Sequence, residues 1–169
     1  MINDDLRKTA KARQVDTSDR YLAFVVGKEQ YAIPLLQVKE VIEMTEPTPI
    51  PQTSGYFKGV INLRGQVISV LDLRLKLNQT QIENGPKTSI IILDLEPNLC
   101  LGVIVDRINN VLAFHPEDVS APPDTLTGKD QFLTGIARRD HKMTLILDIR
   151  AALNIKELNY LKHNSQEAA

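Results

Sequence analysis

Three features of the sequence predict a mainly β fold made of two small, similar sheet modules. Short apolar runs of period two recur between turn residues along most of the chain. The run at residues 58 to 74 reappears at 134 to 150. Helical periodicity is confined to the last stretch, from about residue 150.

In chain order, residues 1–18 are polar and are expected to form a flexible tail. From Tyr21 the pattern changes. "YLAFVVG" is β-branched and aromatic, "KEQ" is a polar break, and "YAIPLLQVKEVIEM" resumes an extended pattern that Pro34 bends. "TEPTPIPQTSG", residues 45 to 55, holds three prolines and should run as an extended connection, because proline fixes φ and donates no ladder bond. "GVINLRGQVISVLDLR", residues 59 to 74, reads as two strands joined by a turn at Asn62-Leu63-Arg64-Gly65-Gln66. Gly65 shapes that turn, since a position with positive φ costs a residue with a β-carbon about 1–2 kcal/mol. The Gly-Pro-containing loop near residues 78 to 89 is the expected boundary between modules at about 20–85 and 88–152. "IIILDLEPNLCLGVIVD" then forms another hairpin around Glu96-Pro97-Asn98. In "RAALNIKELNYLKHN", Leu153, Leu158 and Leu161 recur at spacings of five and three with charges between them, which predicts a short amphipathic helix or a pair of helical turns, with residues 163–169 as a tail.

The repeat rests on two collinear matches. Gly59, Leu71, Asp72 and Arg74 fall on Gly135, Leu147, Asp148 and Arg150, an offset of 76 residues. "YAIPLLQVKEVI" lies over "LGVIVDRINNVL" at an offset of 70. A proline-rich connection follows each, "TPIPQ" in one case and "SAPPD" in the other. Closing each sheet into a barrel removes the open edges that invite aggregation.

Composition narrows the function. The 169 residues carry a formal net charge of -1, which gives no overall attraction to nucleic acid or anionic membrane. Four Phe, four Tyr and no Trp are also a poor supply of stacking platforms for a barrel that binds single strands, the alternative from a different class. No run reaches the roughly 18 apolar residues of a membrane span, and the first twenty residues lack a signal-peptide core, so a cytoplasmic protein with no direct membrane insertion is expected. Cys100 is the single cysteine and its apolar surroundings mark it as a buried small side chain.

No catalytic constellation stands out, and neither a metal nor a cofactor is expected. The sequence lacks a phosphate-cradling glycine loop, His-Glu-x-x-His and Gly-x-Ser-x-Gly, and His115, His141 and His163 are far apart. Asp72 and Asp148 each precede an arginine by two residues, as repeated salt bridges or caps where strand passes into helical turn. Recognition remains, and Arg64 has the setting for it: a cation at a turn beside Leu63.

"FKGVINLRGQVISVLDLR" resembles the signature of the CheW family, the coupling proteins of bacterial chemosensory arrays. The likeness extends over roughly residues 18 to 162, through "QYAIPLLQVKEVIE", "IPQTSGYFKG", "LGVIVDRINNVL" and "FLTGIA". Ser69 departs from the proline common in the family, a change that a strand accepts. The resemblance implies two SH3-like five-stranded β-barrels with short helices, including a C-terminal helix, and no catalytic activity. It implies a scaffold joining the cytoplasmic signalling tips of chemoreceptors to the regulatory domain of a CheA-type histidine kinase. Carried over by position, the receptor-binding residues are Val38, Glu40, Lys58, Gly59 and Arg64. An adaptor for twitching motility or another chemosensory output is the alternative within the family.

Overall fold

The computed structural model describes residues 19–51, 55–79, 83–124 and 132–167. The tail expected at 1–18 lies outside them. In chain order the elements are β1 (Arg20–Val26), β2 (Glu29–Pro34), β3 (Val38–Glu43), β4 (Phe57–Leu63), β5 (Gln66–Asp72), α1 (Leu73–Lys76), β6 (Ser89–Glu96) and β7 (Leu99–Val105). They continue with β8 (Arg107–Ala113), β9 (Val119–Ser120), β10 (Leu133–Arg139), β11 (Lys142–Leu147), α2 (Ile149–Ala152) and α3 (Ile155–Glu167).

The fold is mainly β, with a five-stranded sheet in the order β3-β6-β7-β5-β4 and a six-stranded sheet in the order β8-β1-β2-β11-β10-β9. The sixth strand is the two-residue β9, which pairs with β10. Ser69 sits in the ladder opposite Val60 and Leu101, as a strand residue without proline's missing donor should.

The repeated hairpins share three local features. β4–β5 is irregular between Phe57 and Gly59, and β10–β11 between Leu133 and Gly135. The backbone N–H of Asp72 donates to Tyr56 O, and that of Asp148 to Phe132 O, both at 2.7 Å. Each aspartate then caps the short helix after its strand: Asp72 accepts from Arg74 N and Asp148 from Ala151 N.

The sheets do not divide at the 78 to 89 loop. The five-stranded sheet takes β3 to β7, and the six-stranded sheet combines β1–β2 with β8 to β11. Each module has therefore given its first hairpin to the other, joined through parallel pairs: β7 beside β5, and β2 beside β11. Similar hairpins present similar edges, so the repeat tells which strands correspond and leaves open whose edge each hairpin joins.

Strand periodicity sorts side chains into separate cores. On β6, Ile90 and Ile92 face the interior of the five-stranded sheet with Ile61, Ile68, Val70, Cys100 and Ile104. Ile91 and Leu93 face the other way, into the main core between the sheets, with Phe24, Ile33, Leu71, Leu101 and Leu147. Both faces of β6 and β7 are buried, which is why their sequences are nearly continuous apolar runs. Each fully buried Ile or Leu contributes about 1.5–3 kcal/mol.

The C-terminal helix docks on the main core. Asn154 and Glu157 form a reciprocal capping box, Glu157 N to Asn154 Oδ1 at 2.9 Å and Asn154 N to Glu157 Oε2 at 2.8 Å. Leu161 is buried, and the Tyr160 ring lies 5.8 Å from that of Phe57. The helix runs to Glu167, past the point where a tail was expected to begin, because no glycine or proline interrupts residues 155 to 167.

Candidate protein-interaction site

The β4–β5 turn has two central residues. Arg64 (φ 52°) and Gly65 (φ 84°) both occupy the left-handed region, between the paired Leu63 and Gln66. Such a turn matches the twist of a two-residue hairpin, and glycine removes the cost at one of its positions. Asn62 Oδ1 accepts the Gly65 N–H at 2.9 Å and braces the turn.

From this tip Arg64 reaches Glu40 on β3. Nη1 donates to Oε1 and Nη2 to Oε2, each at 2.9 Å, a bidentate fork that fixes the guanidinium plane. The two hydrogen bonds and the charge of Glu40 hold the Arg64 pKa above its usual value. β3 and β4 are the outer strands of the five-stranded sheet, so the fork spans the seam between its edges. The aim of Glu40 follows from the bulge between Val38 and Glu40, where an extra residue re-directs the strand. The Arg64 side chain remains 75% exposed while engaged, so one face of the pair is open to a partner.

The other expected residues take no part in the fork, although Val38 adjoins Glu40 across the β3 bulge. Val38 is half-buried and packs against the main core. Lys58 and Gly59 are at the far end of β4, about 17–20 Å along the strand from Arg64 at 3.3 Å per residue. Lys58 is exposed and lines a cleft of about 380 Å³ whose other walls include Glu46, Pro47 and Arg74. Gly59 has φ 134°, and a β-carbon there would stand 1.9 Å from Thr48 O. Its lack of a side chain lets the proline-rich connection lie on β4, where Thr48 and Val60 exchange backbone hydrogen bonds of 2.8 and 2.9 Å.

Beneath that cleft is a charged cluster only partly legible in the sequence. Arg74 is buried with Asp72, Nη2 to Oδ2 at 2.9 Å and Nε to Oδ1 at 3.0 Å. It also reaches Asp106 Oδ1 at 3.4 Å and Asn84 Oδ1 at 2.8 Å. Burial opposes its charge, yet the hydrogen bonds and charges of Asp72 and Asp106 prevail and raise its pKa. Asp106 is the single residue between β7 and β8, and its Oδ2 accepts the Gly27 N–H at 2.7 Å. It therefore ties the β1–β2 turn to the five-stranded sheet. Its position at the crossing between apolar β7 and polar β8 was the available signal. In the second module the parallel is incomplete, because Arg150 pairs with Glu96 instead of Asp148.

Cys100 is buried, and its Sγ donates to Asp94 Oδ1 at 3.1 Å. Burial, with the Asp94 carboxylate, pushes its thiol pKa up and keeps it protonated.

A profile of the CheW-like domain matches residues 20–157. The chain belongs to the CheW family. Among its relatives, the chemotaxis protein CheW of Bacillus subtilis is 34% identical over 159 residues, covering 92% of this chain and 95% of the relative. That of Treponema pallidum is 33% identical over 151 residues, covering 86% and 88%. The crystal structure of the scaffolding protein TtCheW from Thermoanaerobacter tengcongensis matches with a TM-score of 0.75 at 30% identity, over 83% of this chain and 97% of that one. The CheW family is one of chemotaxis scaffolds and adaptors, and the two sheets described above are its fold. No helix among the described residues is long and apolar enough to cross a membrane.

Proposed function

We propose that the chain is a non-catalytic cytoplasmic adaptor that joins the signalling tips of chemoreceptors to a CheA-type histidine kinase. The receptor-facing surface centres on the Glu40–Arg64 fork, with Val38 beside it and Lys58 and Gly59 farther along β4. The carrying observation is that Arg64 is held in a fixed plane at a hairpin tip and is still 75% exposed. A charge oriented before contact loses less side-chain freedom on binding than a mobile one. The kinase's regulatory domain, itself a CheW-like pair of barrels according to the resemblance, engages by barrel-to-barrel packing.

The test is reconstitution of the purified chain with a CheA-type kinase and receptor signalling fragments from the same genome. Co-sedimentation of all three and receptor-dependent autophosphorylation are expected. Calorimetric titration with ATP should show no stoichiometric binding to the isolated chain. Kinase control without the chain, or stoichiometric ATP binding by it, overturns the reading.

A further inference from the structure

The repeat offsets carry Glu40 onto Asn110 and Arg64 onto Asp140. No hydrogen bond joins Asn110 and Asp140, so the fork that spans the edges of the five-stranded sheet has no counterpart in the six-stranded one. There, a cleft of about 320 Å³ opens between β8 and the β10–β11 hairpin. Leu112 and Phe114 form its apolar side, and Arg139, Asp140 and Lys142 stand on the hairpin side, two cations against one carboxylate. Asn110 supplies an amide, while the Gln30 amide is engaged within the chain, donating to Thr144 Oγ1 and accepting from Asn109 Nδ2, each at 2.7 Å.

Two observations give the chemistry of an occupant. Arg139 and Lys142 are direct cross-strand partners, a like-charge arrangement that is unfavourable unless an anion lies between. In the first module the equivalent pair is Leu63 and Gln66. Among the described residues neither cation is paired with a carboxylate, and Asp140 is the lone acid in "RRDHK". Arg139 Nη1 donates to Ala113 O at 3.0 Å, which holds the guanidinium at the cleft and leaves its other donors for a ligand. Beside it runs β8, an outer strand whose Val111 is 48% exposed.

We propose that this cleft receives an acidic segment of a partner protein. A carboxylate sits between Arg139 and Lys142, an apolar neighbour rests on Leu112 and Phe114, and the extended backbone follows the free edge of β8. A peptide suits the site better than a free anion, because cations, apolar surface and a strand edge adjoin. The site is separate from the Glu40–Arg64 surface, and its test does not require receptor or kinase.

The experiment is a titration of the full-length, nitrogen-15-labelled chain, followed by NMR, with the blocked peptide Glu-Leu-Glu-Val-Glu. The lysine analogue Lys-Leu-Lys-Val-Lys and sodium sulfate serve as comparison probes. Amide shifts confined to 30, 108–114 and 138–144 are expected with the acidic peptide. Arg139→Glu and Lys142→Glu should each weaken it about tenfold or more, and the doubly reversed chain should bind the lysine peptide instead. Arg139→Gln and Lys142→Gln replace these variants if spectra away from the hairpin reveal loss of fold. Shifts centred elsewhere, affinity unchanged in the variants, or the same shifts at the same affinity with sulfate alone overturn the proposal, the last by showing a free-anion site.

Discussion

Arg74 Nη2 meets Asp72 Oδ2 at 2.9 Å with 3% and 1% of the two side chains left accessible to solvent. Removing the arginine alone strands a buried carboxylate. Arg74→Met should cost about 3–5 kcal/mol in urea unfolding. Asp72→Asn combined with Arg74→Met should cost less than Arg74→Met alone, because no uncompensated charge then remains. A double variant at least as unstable as the single one would mean that the pair acts through its caps and packing, with charge secondary.

Arg64→Ala should leave the melting curve almost unmoved while weakening receptor co-assembly by about 30-fold, the effect of losing an interface anchor. Arg64→Lys separates charge from geometry, since lysine keeps the cation and cannot make the two-point grip on Glu40. Little rescue by lysine is expected. Unaltered co-sedimentation in both variants would remove the fork from the receptor surface.

Gly59 and Gly65 both have positive φ but differ in their surroundings. A β-carbon at Gly65 meets nothing within 4 Å, whereas at Gly59 it meets the backbone of Thr48. Gly65→Ala should cost about 1 kcal/mol. Gly59→Ala should cost more, about 2–4 kcal/mol, and should raise hydrogen exchange at Thr48 and Val60 as the proline-rich connection lifts from β4. Equal costs at the two positions would contradict this difference.

Cys100 gives a pH signature. Its folded pKa is raised above the ordinary 9.0 by burial and Asp94, so the folded state keeps a proton that the unfolded state releases. Its contribution is present in full below the unfolded pKa and is lost as pH rises through the folded one. Stability should therefore decline above about pH 9, and Cys100→Ala should flatten that part of the profile. Thiol reagents should label the native chain far more slowly than the urea-unfolded chain. Rapid native labelling at neutral pH would disprove a buried, protonated thiol.

Local rules made much of this fold legible. Period-two runs located the hairpins, glycine beside Arg64 located the turn, and the Asp-x-Arg repeat gave both caps and the Asp72–Arg74 pair. Relationships between distant strands were less accessible. Glu40 and Arg64 were named separately for one surface, yet their pairing depends on a bulge and on two sheet edges meeting, neither of which has a local pattern. The six-stranded sheet likewise joins residues 20–34 to 107–147, a pairing that nothing within either segment specifies.

The exchanged hairpins bear on how the chain is made. As it leaves the ribosome, β1 and β2 can pair with each other, but their outer neighbours β8 and β11 are still unsynthesised. The nascent hairpin waits for residue 107 to gain β8 and for residue 142 to gain β11, and Leu22, Phe24 and Ile33 stay exposed until core partners from Phe57 onward have emerged. Pairings this distant in sequence slow folding and prolong the exposure of sticky surface. A chain interrupted at the 78 to 89 loop would keep β3, β4 and β5 but lack the β6–β7 pair that lies between β3 and β5. Neither half is thus a separable folding unit, although each carries one complete copy of the repeat.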